Sequence, residues 1–169
     1  MAARSGPPRS LRAAFDHVAV AAPRIRDLLP LYGDLLGGRF AFGGDNPRVG
    51  YRALHLRYPD DRRVELMEPL PGSTFFDSFF ARTRGGGVHH LTFVVADIRV
   101  ALHEVVAGGW TPTAVFIDDP AWREVFLHPR ETGGTLLQLL QKEEGQPVTA
   151  GMEEVLAGRG LAGTGTISP

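Results

Sequence analysis

Two apolar, β-branched segments, HVAVAA from His17 and HLTFVV from His90, each open on a histidine and lie 73 positions apart. The same step of 73 leads from Glu65 in RVELM to Gln138 in TLLQLL. In each copy, therefore, 48 positions separate the histidine from the second polar residue. An internal repeat of this kind sets the frame in which every other residue is read.

The order of elements repeats as well. In the first copy a strand over Phe15–Ala21 leads to a helix over Pro23–Leu36 closed by Gly37-Gly38, then to strands over Arg39–Phe42, Tyr51–Tyr58 and Arg63–Met67. In the second, a strand over Val88–Val95 leads to a helix over Asp97–Ala107 with Asp97 as its N-cap. Strands over Thr113–Ile117, Trp122–Leu127 and Thr135–Leu140 complete it. The pattern predicts an α+β fold, β-α-β-β-β written twice. A short helix over Thr74–Arg82 joins the copies, and its Phe75, Phe76, Phe79 and Phe80 read as a core stripe. Residues 1–13 and 143–169, rich in Gly, Pro, Thr and Ala, read as flexible ends around a single domain, the second containing a short helix over Met152–Leu156.

Strand periodicity puts His17, Ala19 and Ala21 on one face and Leu136, Gln138 and Leu140 on one face, so each polar group points where small or apolar neighbours point. A buried polar group without a partner costs about 1–3 kcal/mol. A single histidine on a strand is more often a hydrogen-bonded core residue than a ligand. Four polar groups in matching register call for a common explanation, and two imidazoles, a carboxylate and an amide oxygen suit a divalent metal. His89 alternates to the other face from His90, while His55, His103 and His128 read as surface or supporting groups.

Composition removes whole classes of function. With no Cys there are neither disulfides nor thiolate metal sites. Balanced charge, 18 Lys+Arg against 19 Asp+Glu, leaves no basic field for a phosphate backbone, so no nucleic-acid partner is expected. No apolar run is long enough to cross a bilayer, and the basic start lacks the apolar segment of a secretory signal, so the expected setting is the cytoplasm, with no membrane partner.

The doubled unit, with FDHVAV, VELMEP, GGGVHHLTFVV and above all VFLHPRETGGTLLQLLQ, resembles the vicinal oxygen chelate (glyoxalase/bleomycin resistance/dioxygenase) superfamily, over about Phe15 to Gln141. Within it the chain is most similar to the methylmalonyl-CoA epimerase and glyoxalase I groups. The resemblance implies a cupped, eight-stranded mixed sheet of two modules, about 14–69 and 87–142, around one divalent ion (Co, Mn, Ni, Zn or Fe). Carried over position by position, the metal ligands are His17, Glu65, His90 and Gln138. The turn Thr132-Gly133-Gly134 would lie near the mouth of that site, its glycines needed if the backbone takes positive φ.

This sequence departs from the epimerases at the proton carriers. They usually have glutamate at the last ligand position and another before the third strand, where this chain has Gln138 and, in GGDNPRVGY, no Glu. An amide cannot accept a proton at neutral pH, which leaves Glu65, or Asp45 from the loop, as base. On the same reasoning Gln138→Glu restores the usual arrangement and is expected to keep or raise activity. The function implied is a metal-dependent epimerase or isomerase, or a glyoxalase-type lyase, with Glu65 and Gln138 at the reacting centre. The substrate is a small 2-substituted acyl-CoA or related carbonyl compound, with Arg48, Arg52, Arg57 or Arg123 available for its phosphate or carboxylate. Two alternatives share the scaffold: an Fe(II) dioxygenase using His17, Glu65 and His90, and a non-catalytic protein holding an antibiotic between two chains. A homodimer is expected from the family likeness.

Overall fold

The structure is a computed structural model that describes residues 10–119, 122–142 and 150–159. Its strands are β1 (Ala14–Ala21), β2 (Arg39–Asn46), β3 (Tyr51–Arg57), β4 (Arg63–Pro69), β5 (Gly87–Val94), β6 (Pro112–Phe116), β7 (Arg123–Leu127) and β8 (Leu136–Gln141). The helices are α1 (Asp77–Thr83), α2 (Ile98–Ala107) and α3 (Met152–Leu156). The strand order is β2-β3-β4-β1 in the first half of the chain and β5-β8-β7-β6 in the second, each a mixed arrangement of parallel and antiparallel neighbours. The described residues divide into two compact units, 17–89 with 150–159, and 10–16 with 90–119 and 122–142.

In the first unit β1 runs parallel to β4, with His17 opposite Arg63 and Ala19 opposite Glu65. On the other side of β4, antiparallel β3 sets His55 opposite Glu65. Side chains alternate along each strand, so His17, Ala19, His55, Glu65 and Met67 share one face while Val20, Leu54, Leu56 and Leu66 share the other. The leucine face forms a buried core with Ile25 and Leu156. Its cover is not the single helix expected over Pro23–Leu36: a 3₁₀ turn at Ile25–Asp27 is followed by a π-helical segment, Pro30–Leu35. Pro30 is the physical reason, since it has no N–H to donate and its ring crowds the preceding turn. Beyond it the Leu36 N–H reaches five residues back to the Leu31 carbonyl.

The short helix expected over Met152–Leu156 is present as α3, but it is not part of a flexible tail. Here α3 docks on the leucine face with Val155 fully buried and Leu156 nearly so. Gly43 on β2 makes the approach possible, because a Cβ there would lie 2.6 Å from the Ala53 carbonyl oxygen and 3.2 Å from Val155 Cγ1. Residues 143–149 and 160–169 lie outside the described residues.

In the second unit β5 runs parallel to β8 with His90 opposite Leu136 and Thr92 opposite Gln138, the same register as β1 with β4 after a step of 73. Antiparallel β7 sets Phe126 opposite Gln138. The Asp97 side chain caps α2 by accepting from the Arg99 and Val100 N–H groups, as expected. Ile98, Ala101 and Val105 of this helix pack on Val125, Leu127 and Leu139, with Leu11 against the same core. Leu11 is thus tied down within the segment read as a flexible start, and residues 1–9 lie outside the described residues. Among the described residues no helix is long and apolar enough to cross a membrane.

Candidate metal centre

His17 and Glu65 arrive from neighbouring parallel strands, and their apolar flanks carry both into the interior at 5% exposure each. His17 Nε2 lies 3.1 Å from Glu65 Oε2. His55, directly across from Glu65, brings its Nε2 to 3.7 Å from the other carboxylate oxygen, Oε1. The His55 ring meets His17 edge-on at 5.0 Å and stacks on Phe42 at 4.1 Å, which limits its rotation. Arg63, on the same face, holds its guanidinium over the Phe42 ring at 5.6 Å. His90, at the position of the second unit that matches His17, is likewise buried, at 6% exposure. Two imidazole nitrogens and a carboxylate oxygen, all from buried side chains, are a donor set that fits a divalent ion.

Gln138 is also buried, at 6% exposure. Its Oε1 accepts a hydrogen bond from the Thr92 hydroxyl at 2.6 Å, and its Nε2 donates to Glu124 Oε2 at 2.5 Å. His89 does not join the ligands; its ring sits among those of Phe75, Phe76 and Phe79 at 5.0–6.0 Å. Phe76 and Phe79 are core, as read, and pack on Ala19, Ala21 and Met67 beside Glu65. Gly133 and Gly134 both take positive φ, 78° and 103°, so the turn before β8 requires glycine.

Other expected contributors lie elsewhere. Asp45 binds Arg52 through two hydrogen bonds, of 2.6 and 3.0 Å, and Arg52 also reaches Glu68 Oε1 at 2.8 Å. These three occupy the face of the sheet opposite Glu65, because position 52 alternates with position 55. Asp45 is therefore ruled out as base and Arg52 as a substrate anchor at this centre. The hydrogen bond to Asp45 holds the Arg52 guanidinium above its ordinary pKa despite burial. Arg52 also lines a cavity of about 480 Å³ with Arg24 and Arg26, but each guanidinium there is ion-paired, to Asp45 and Glu68, to Asp27, and to Glu153. Arg123 shares the face of Val125 rather than that of Gln138. Arg57 pairs with Asp61 at 3.2 Å on the surface, His103 is exposed, and the His128 Nδ1 accepts the Arg130 N–H.

Thr92 and Glu124 were not singled out by sequence reasoning as partners of the ligands, and His55 only as a surface or supporting group. A signal for His55 existed, a lone polar residue between Leu54 and Leu56, but the step of 73 pairs it with His128, whereas the residue opposite Gln138 is Phe126.

Comparison with known proteins agrees with this architecture. The ethylmalonyl-CoA/methylmalonyl-CoA epimerase of Cereibacter sphaeroides is 28% identical over 132 residues, covering 75% of this chain and 96% of the relative. The mitochondrial methylmalonyl-CoA epimerase of Dictyostelium discoideum is 26% identical over 134 residues, 75% of this chain and 77% of the relative. The crystal structure of methylmalonyl-CoA epimerase from Mycobacterium tuberculosis superposes with a TM-score of 0.69 at 26% identity, covering 83% of this chain and 95% of that one. The family described as glyoxalase/bleomycin resistance protein/dioxygenase matches residues 16–126, and this chain belongs to that superfamily.

Proposed function

We propose that this chain is a metal-dependent epimerase that moves the proton on the carbon next to the carbonyl of a 2-substituted acyl-CoA or a related compound. The observation that carries this reading is the buried His17–Glu65 pair, 3.1 Å apart, with a buried His90 at the matching position of the second unit. Its likeness to enzymes named for ethylmalonyl-CoA and methylmalonyl-CoA supports the substrate class. His17, Glu65 and His90, with Gln138 as fourth ligand, would hold one divalent ion, which when bound supplies Lewis-acid polarisation of a carbonyl.

Glu65 is the base in this reading. The C2–H bond breaks, the proton passes to the Glu65 carboxylate, the bonding pair moves toward the carbonyl oxygen, and a proton returns to the opposite face. No co-reactant is consumed. Gln138 is neutral and takes no proton; its part is that of the fourth ligand. Phe76 and Phe79, packed on Ala19 and Met67, keep water from that side of Glu65. Arg63, on the Glu65 face, is the cation we assign to the substrate's carboxylate. The same reading has the chain working as a homodimer in the cytoplasm.

The test is deuterium entry at C2, followed by NMR in D₂O across a panel of 2-substituted acyl-CoA thioesters. The parent should exchange, and Glu65→Gln should lose at least about 10²-fold, the lower end for removal of a general base. Equal exchange by Glu65→Gln with metal still bound would overturn the assignment of the base. No exchange by the parent on any substrate would overturn proton transfer itself. One observation favours a second reading: two histidines and one carboxylate are also the ligand set of Fe(II) oxygenases, and substrate-dependent O₂ uptake by the Fe(II)-loaded chain would establish it.

A further inference from the structure

We propose that Glu124 is a positioning residue that requires an amide at position 138 and fixes which end of that amide is offered as a ligand. The inference rests on the reading above for the place of Gln138 in the ligand set. Its evidence lies wholly within the second unit. A carboxylate can only accept, so the 2.5 Å contact from Gln138 Nε2 to Glu124 Oε2 decides which end of the amide is nitrogen. Oε1 then faces the Thr92 hydroxyl at 2.6 Å, which uses one of its two lone pairs and leaves the other for a metal. Thr92 is fully buried and Gln138 nearly so, which restricts the water available to replace either partner.

The two units solve one problem with opposite charge. In the first, the residue on the fourth strand is a carboxylate, Glu65, and its third-strand neighbour is an imidazole, His55, with Nε2 3.7 Å from Glu65 Oε1. In the second, the fourth-strand residue is a donor amide, and the carboxylate stands on the third strand as Glu124. Each pair is matched. A glutamate at 138 would set two carboxylates at the separation now spanned by a hydrogen bond, so the expectation that Gln138→Glu keeps or raises activity no longer follows. The change that restores matching is the exchange of both residues, Gln138→Glu with Glu124→Gln.

The test is a double-mutant cycle read by Co²⁺ binding to the full chain, by calorimetry and by the visible absorption of bound Co²⁺. Glu124→Gln should weaken Co²⁺ binding about 10-fold or more in the parent, the lower end for loss of a group that orients a ligand. In the Gln138→Glu background the same substitution should strengthen binding and return the Co²⁺ absorption toward the parent's. Effects equal in size and sign in both backgrounds would overturn the proposal. Gln138→Ala separates the two failures: unchanged Co²⁺ affinity removes Gln138 from the ligand set and this inference with it, whereas weakened affinity with an additive cycle refutes only the role of Glu124. Should Glu124→Gln fail to fold, Glu124→Asp keeps the acceptor but withdraws it, and unaltered Co²⁺ binding by that variant would equally refute the role.

Discussion

Replacing Arg52 with Met separates a structural role from a substrate-binding one. The guanidinium donates to both Asp45 oxygens at 2.6 and 3.0 Å, to Glu68 at 2.8 Å and to the Leu156 carbonyl at 3.3 Å. Glu68 in turn accepts the Ile25 N–H at 2.7 Å, so one side chain links β2, β3 and β4, the turn after β1, and α3. The side chains of Arg52, Asp45 and Glu68 are 11%, 23% and 13% exposed, which places the group nearer the buried than the surface limit. Removing one member of a buried ion pair costs about 3–5 kcal/mol, against about 0–1 kcal/mol for an exposed pair. The partial exposure of Asp45 argues for the lower end, about 3 kcal/mol, or roughly 6–12 °C in Tm for a chain of this size. Methionine also leaves two carboxylates facing each other without their cation. Urea and thermal unfolding followed by far-UV circular dichroism measure the free-energy loss and the shift in Tm. A loss below about 1 kcal/mol would refute the argument. A raised KM with unchanged Tm would return Arg52 to the role of substrate anchor.

Two further expectations have simple assays. Elemental analysis of the purified chain should find about one divalent metal per protein, lost in His17→Ala and in His90→Ala; a double variant as fully loaded as the parent would remove both histidines from the site. Burial, and then the neighbouring Tyr32, raise the Tyr58 pKa above 10.0, while its hydroxyl donates to the Tyr32 carbonyl at 2.7 Å. A raised folded-state pKa means that this contribution to stability is full below about pH 10 and is lost as pH rises through the folded value. Tyrosinate absorbance should therefore show a late ionisation that Tyr58→Phe removes, and the variant should lose less stability at alkaline pH; an unchanged titration would contradict this.

The repeat was legible because it is written in local periodicity. Alternation along a strand decides which face a side chain takes whatever the partner strand is, so the apolar flanks of His17 and Gln138 already implied inward-pointing polar groups. Equal spacing in the two copies then carried over into the register, with Ala19 opposite Glu65 and Thr92 opposite Gln138. The Asp97 cap and the glycine turn before β8 are likewise local chemistry. The helix over Pro23–Leu36 failed on a local feature given too little weight, Pro30. Only the tertiary structure decided which residues stand beside the ligands. Ten positions separate His55 from Glu65, whereas twelve separate Phe126 from Gln138, so the return to the fourth strand is longer in the second copy and the offset of 73 breaks there. The contacts of Glu124 and Arg52 and the docking of α3 were hidden for a related reason. A strand's period names a face but not a neighbour, and contacts such as Glu124 with Gln138, or Val155 over Gly43, depend on loop lengths and on distant segments arriving at the same surface.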